Sequence, residues 1–249
     1  MRVETNEALI KRMKRLSQYL FFGSFGVLVI WLITSTQQVA NAGSTQNYFV
    51  SIVLPSILLP AAFISSMISV RFTNLWVRSP RPEEAIRQQL KGISNKSVLY
   101  NYYHIPARHV LISPQGVYAI VTRFQDGYFT VNGDKWVSHK NALSRFFSIF
   151  RFDAVGNPTA DAMRAVNHVQ SMLTAIVPSV TVHALIVFVD ARVRVDIEGD
   201  IAVPVVFTSE DHQPTLKDFL RDEAQRLTKE KRKSLTPEQI QAIDAALAR

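Results

Sequence analysis

The sequence predicts an α/β domain preceded by a two-helix transmembrane hairpin. Three observations carry this. From Leu16 to Val70 there is no Asp, Glu, Lys or Arg, a run of 55 residues in a chain that is 19% charged. Basic residues flank that run on both sides. Beyond it, helix-period and strand-period patterns follow one another along 179 residues, enough for one domain with a real core.

Two apolar stretches lie inside the charge-free run, about Tyr19–Ser35 and Tyr48–Val70. A bilayer core takes about 20 helical residues, with a range of about 17–25. Neither stretch has the polar face of a soluble core helix. Asn41, Gly43 and Ser44 mark a turn between them. Arg2, Lys11, Arg12, Lys14 and Arg15 precede the first stretch, Arg71, Arg78 and Arg81 follow the second, and the connection has no cation. The positive-inside rule then puts both ends in the cytoplasm. Tyr19, Trp31, Tyr48 and Trp76 suit interfacial anchoring, and Pro55 and Pro60 are expected to kink the second span. No ionisable residue sits in either span, so the hairpin reads as an anchor.

Past the hairpin, Pro82, Glu83 and Glu84 open a helix with an Ile86, Leu90, Ile93 stripe and a stop at Gly92. Strands are expected at Ser97–Tyr103, His109–Ser113 and Gly116–Phe124, the last two joined by the turn Pro114-Gln115-Gly116. Gly116–Phe124 is apolar enough to be covered on both faces. Asp126-Gly127 and Asn132-Gly133 are hairpin signals around Tyr128–Asn132. Lys140–Ala154 is aromatic and basic without a clean period. A helix follows from Thr159 to Ile176, then strands at Thr181–Asp190, the most central in character, and Val203–Thr208. Helices close the chain at Leu216–Arg232 and after Thr236, with Pro237 and Gln239 completing a capping box. The expected organisation is a basic cytoplasmic segment at 1–18, the hairpin at 19–70 with spans at about 19–35 and 48–70, a juxtamembrane linker at 71–81, the α/β domain at 82–220 and C-terminal helices at 221–249.

There are no cysteines, which excludes disulfides, thiolate metal sites and a cysteine nucleophile. No glycine-rich phosphate loop or Ser–His–Asp nucleophile motif occurs. A two-span chain without a cleavable signal or cysteines fits the plasma membrane of a prokaryote. The net charge is +8, and residues 71–249 hold 23 Lys/Arg against 18 Asp/Glu.

The stretch HVLISPQGVYAIVTRFQDGYFTVNGDKW (His109–Trp136) resembles the heart of the nuclease-related domain, NERD. So do Glu83/Glu84 upstream, and Asn157–Leu173 and His183–Asp190 downstream. The resemblance covers roughly Pro82–Leu220 and implies a restriction-endonuclease-like fold, a central mixed sheet flanked by helices. It also implies metal-dependent phosphodiester cleavage where the site is intact. The family has Asp before the His that opens the second strand; here that residue is Arg108. The family's Glu-x-Lys on the next strand is here Val121, Thr122, Arg123. Only an upstream acid, Glu83 or Glu84, remains. Mg²⁺ needs converging carboxylates, and Arg123 does not shuttle protons as a lysine does.

The expected function is therefore a non-catalytic, membrane-anchored domain that binds nucleic acid or a protein at the inner membrane face. Arg108 and Arg123 are its phosphate-binding candidates. No cofactor is expected, and Mg²⁺ enters only if the alternative holds: a nuclease whose acids have moved, with Glu83, Glu84 and Asp126 or Asp134 converging. A second alternative is a scaffold that oligomerises through Phe146–Phe152. His109, His168 and His183 lack metal-ligand spacing and read as structural.

Overall fold

A computed structural model describes residues 1–40, 49–139, 155–178, 180–231 and 234–248. These form two units, one holding Met1–Asn6 and the chain from Pro80 onward, the other Glu7–Ser79. The expected turn formers Asn41, Gly43 and Ser44, the anchor Tyr48 and the aromatic segment Phe146–Phe152 lie outside the described residues.

In the second unit, α1 runs from Glu7 to Ala40 and α2 from Leu54 to Trp76, with a π-helical turn at Phe49–Val53 before it. Both helices are long and apolar enough to cross a membrane. Helix α1 starts well before its apolar stretch because Ala8, Leu9, Lys11, Arg12, Met13 and Lys14 are good helix formers. Hydropathy marks only the part that suits hydrocarbon, not the helix ends. Pro55 sits in the first turn of α2, where a missing N–H costs nothing, so only Pro60 interrupts the helix. The two helices meet through small side chains. Ser17 and Ser24 are 1% and 4% exposed on α1, as are Ala62 and Ser69 at 0% and 2% on α2. Each pair is spaced two turns apart, which lets the backbones approach. The Ser17 and Thr73 hydroxyls are 3.0 Å apart. Phe21, Phe22, Phe25, Ile57, Phe63 and Ile64 face outward and are exposed. A soluble core helix would bury them.

In the first unit, the described residues form nine strands in two sheets. The larger contains β1 (Arg2–Thr5), β2 (Val98–His104), β3 (Ala107–Ser113), β4 (Gly116–Arg123), β7 (Val182–Phe188) and β9 (Val205–Phe207), in the order β1-β2-β3-β4-β7-β9. It is mixed: β2, β3 and β4 are antiparallel neighbours, while β1 joins β2, and β7 joins both β4 and β9, in parallel. The smaller sheet is β6 (Lys135–Ser138), β5 (Gly127–Gly133) and β8 (Val193–Ile201).

Alternation along β4 sets the layers. Val117, Ala119 and Val121 face a core shared with α4 (Pro158–Thr174; Ala162, Ala165, Val169, Leu173) and α6 (Pro237–Leu247; Ile240, Ile243). Tyr118 and Ile120 face a second core with α3 (Pro82–Gln89; Ile86) and α5 (Leu216–Lys229; Leu216, Leu220). Each such aliphatic side chain, fully removed from water, contributes about 1.5–3 kcal/mol. This is the expected α/β domain with its central mixed sheet, and β4 lies inside it beside β3, with Val110 opposite Ala119. The capping box at Thr236 and Gln239 forms.

Three elements depart from expectation. Asp126-Gly127 does not close a hairpin, because the second edge of β4 is taken by β7 and β5 pairs in the other sheet. Strand β8 is unexpected from its sequence, since Arg194, Asp196 and Glu198 mask the alternation of Val193, Val195 and Ile197. Strand β1 was expected to be plain basic tail, yet it completes the sheet edge, with Val3 opposite Leu99.

Candidate active-site pocket

Three elements, α3, β3 and β4, carry the family positions. Pro82 starts α3 and puts Glu83 in its first turn. Glu83 is 7% exposed, and a buried carboxylate requires partners. It has two: it pairs with the Arg81 guanidinium and accepts a hydrogen bond from the Tyr102 hydroxyl at 2.8 Å. Tyr102 sits at a bulge in β2, between Asn101 and His104, with φ of 65°. This left-handed conformation is rare for a bulky residue. Burial, followed by the charge of Glu83, raises the Tyr102 pKa, so the phenol stays a donor.

His109 on β3 packs edge-on against Tyr102, 5.0 Å between ring centroids. Its Nδ1 lies 2.8 Å from Asn101 Oδ1, and Asn101 Nδ2 donates to Thr5 Oγ1 at 3.0 Å. The acceptor on Asn101 assigns the proton to Nδ1. Complete burial, and secondarily the Arg108 charge, lowers the His109 pKa to about 3. The imidazole is therefore neutral, and its Nε2 has no hydrogen-bond partner among the described residues.

Arg108 is half-buried. Its charge acts on Tyr102, His109 and Arg123, which places it among them. Val121 lies one step beyond the His109–Ile120 pair, so it stands opposite Arg108, and it is an apolar member of the α4-facing core. Arg123 ends β4 with its side chain only 12% exposed. Its guanidinium donates to the Val155 carbonyl and the Thr122 carbonyl, each at 3.2 Å, and to the Asp161 carboxylate in the first turn of α4. Burial lowers the Arg123 pKa and Asp161 opposes this. Arg164 takes the other Asp161 oxygen. Among the described residues, four arginines (81, 108, 123, 164) stand with two carboxylates (Glu83, Asp161) in this pocket.

This set does not fit Mg²⁺. The one acid at a family position is held by Arg81 and Tyr102, Val121 offers no lone pair, and two guanidiniums stand where ligand and lysine are expected. The other acids lie apart from it. Glu84 is on the exposed side of α3, Asp126 pairs with Arg192 at 3.3 Å, and Asp134 is exposed at the β5–β6 turn. His168 is on α4, and His183 on β7 lies beside Tyr118 at 5.7 Å between rings. Among the described residues no three His, Asp or Glu side chains stand close enough to hold a metal. Sequence reasoning missed Tyr102, Asn101 and Asp161. The last reads locally as a residue favouring the helix dipole, and only the fold sets it against Arg123.

Residues 81–189, from α3 to the end of β7, match the family model described as the nuclease-related domain, NERD. No curated protein and no solved structure matches the chain.

Proposed function

We propose that this chain, whose residues 81–189 match the nuclease-related domain model, is a membrane-anchored, non-hydrolytic member of that family. It retains a partner at the inner membrane face, nucleic acid first. One observation carries the reading: the surviving family acid, Glu83, is committed to Arg81 and Tyr102, while Arg123 is buried against Asp161. A metal would have to displace these partners and sit against positive charge. Among the described residues guanidiniums outnumber carboxylates here, which favours an anionic ligand, and Arg108 is the half-buried family-position arginine.

The test is incubation of the full chain with labelled DNA and RNA plus Mg²⁺ or Mn²⁺. Binding without cleavage is expected. Cleavage abolished by Glu83→Gln would overturn the non-hydrolytic reading, and no retention of either nucleic acid would turn the partner into a protein.

The two apolar helices support the anchor, and β1 supports its topology. Arg2–Thr5 precedes α1 yet shares a sheet with strands that follow α2. A chain that crosses the bilayer at α1 must therefore return at α2. The cysteine-free sequence makes the side testable. With single cysteines, Gly43→Cys should react with an impermeant maleimide on intact cells and Ser209→Cys should not. The reverse pattern would invert the orientation.

A further inference from the structure

We infer that β1 and the residue after it form a latch on the candidate pocket. Docked, they hold the β2 bulge that turns Tyr102 onto Glu83; released, they let the bulge relax and the first turn of α3 loosen. This deepens the reading of the pocket as the functional site and rests on it. Three described hydrogen bonds make the latch. The Asn6 amide donates to the Asn101 carbonyl at 3.1 Å. Asn6 Nδ2 donates to the Tyr102 carbonyl at 3.4 Å, and Asn101 Nδ2 donates to Thr5 Oγ1 at 3.0 Å. All three reach Asn101 or Tyr102, where the β2–β3 register shifts.

The bulge needs such a hold. Tyr102 is 4% exposed and has φ of 65°, a conformation that persists for a bulky residue only where its neighbours over-determine it. Asn101 is fully buried and serves both sides. Its Nδ2 goes to Thr5, and its Oδ1 accepts from His109 Nδ1 at 2.8 Å. His109 in turn packs on the Tyr102 ring, 5.0 Å between centroids. If Thr5 leaves, the Asn101 amide either stays unpaired in the interior or turns away from His109. Tyr102 then carries the change onward, because its hydroxyl is the 2.8 Å link to Glu83 in the first turn of α3. The far end of β1 is held separately, by Arg2 on Asp244, so the two ends of the strand can be perturbed apart. Asn6 is also the single residue between β1 and α1, which starts at Glu7. The latch is therefore the segment through which the amino end of α1 is joined to the domain.

The test is amide hydrogen exchange of the full chain in detergent, followed by mass spectrometry over residues 98–104 and 82–90. The variant carrying Thr5→Val and Asn6→Ala should exchange about tenfold faster over both segments, the low end of what two side-chain hydrogen bonds are worth to local opening. Arg2→Gln should loosen β1 and leave 82–90 as in the parent. Tyr102→Phe removes the hydroxyl that links the bulge to α3. In that background, adding Thr5→Val and Asn6→Ala should leave exchange over 82–90 unchanged. A purely local role of β1 would not move 82–90 at all. Parent-like exchange over 82–90 in the Thr5→Val, Asn6→Ala variant, or the same rise in the Tyr102→Phe background, overturns the latch. Should the double variant not fold, Thr5→Val alone, which keeps the shape of the side chain, decides with an expected rise of about threefold. Oligonucleotide anisotropy on the parent is read separately. A parent that retains none counts against the proposed partner, and the exchange result still judges the latch.

Discussion

Asp161→Asn is the sharpest perturbation of the pocket. Arg123 is 12% exposed and spends its donors on Asp161, Val155 and Thr122. Removing the Asp161 charge leaves a buried guanidinium without a counter-ion. Breaking a buried pair costs about 3–5 kcal/mol, but Asp161 itself is 36% exposed, which lowers the expectation to about 3 kcal/mol. Arg123→Met leaves a different residue behind. Asp161 keeps Arg164 and solvent, so the cost is about 1–2 kcal/mol, near that of the charged hydrogen bonds lost. The double variant should then recover about 1–2 kcal/mol relative to the sum. The assay is urea unfolding of the full chain in detergent, followed by Trp136 emission in a W31F/W76F background. Trp136 packs 5.9 Å from Phe188 and donates to Thr159 Oγ1 at 2.9 Å, so it reports on the α4 side of the sheet. An Asp161→Asn variant as stable as the parent, or strictly additive singles, would refute the structural role of Arg123 and return it to the ligand-binding candidates.

Three further outcomes follow from the same geometry. Glu83→Gln should destabilise by about 2 kcal/mol in the same unfolding assay, since Gln cannot accept from Arg81 and Tyr102 as a carboxylate does. Arg108→Ala should weaken oligonucleotide binding in fluorescence anisotropy and reduce the salt slope by about one, with little change in stability. His109 stays neutral in the fold down to about pH 3, whereas the unfolded chain takes up its proton near 6.5. The unfolded state therefore holds more protons in that window, and stability falls as pH drops through it by up to about 1.4 kcal/mol per unit. His109→Asn should flatten this acid limb in urea titrations run at successive pH values.

The pocket balances its carboxylates with guanidiniums. Converging carboxylates repel one another unless a cation lies between them. Here guanidiniums supply that charge covalently. Arg123 takes Asp161 from α4, and Arg81 takes Glu83 within the first turn of α3. The remaining donor to Glu83 is Tyr102, turned inward by the β2 bulge. Glu83 is held by Arg81 and Tyr102, and Asp161 by Arg123 and Arg164.

What the sequence determined by itself is what neighbouring residues decide. Apolar runs without charge, long enough to cross a bilayer as helices, give α1 and α2. The β3–β4 pair follows from two apolar runs around Pro114-Gln115-Gly116, and the capping box follows from Thr236, Pro237 and Gln239, all within four residues. The degenerate pattern at Arg108, Val121 and Arg123 is also legible as a string. Tertiary structure decided the rest. Whether Asp126-Gly127 closes a hairpin depends on β7, which arrives nearly sixty residues later and takes the β4 edge. Strand β1 needs β2 across the whole hairpin before its four residues mean anything. Arg123 meets Asp161 across 38 residues and Tyr102 meets Glu83 across 19, so the chemistry of each depends on a partner that no local period announces. Two arginines are the same letter in the sequence. Only the folded sheet and α4 bury Arg123 and set it against Asp161, while Arg108 is left half-buried.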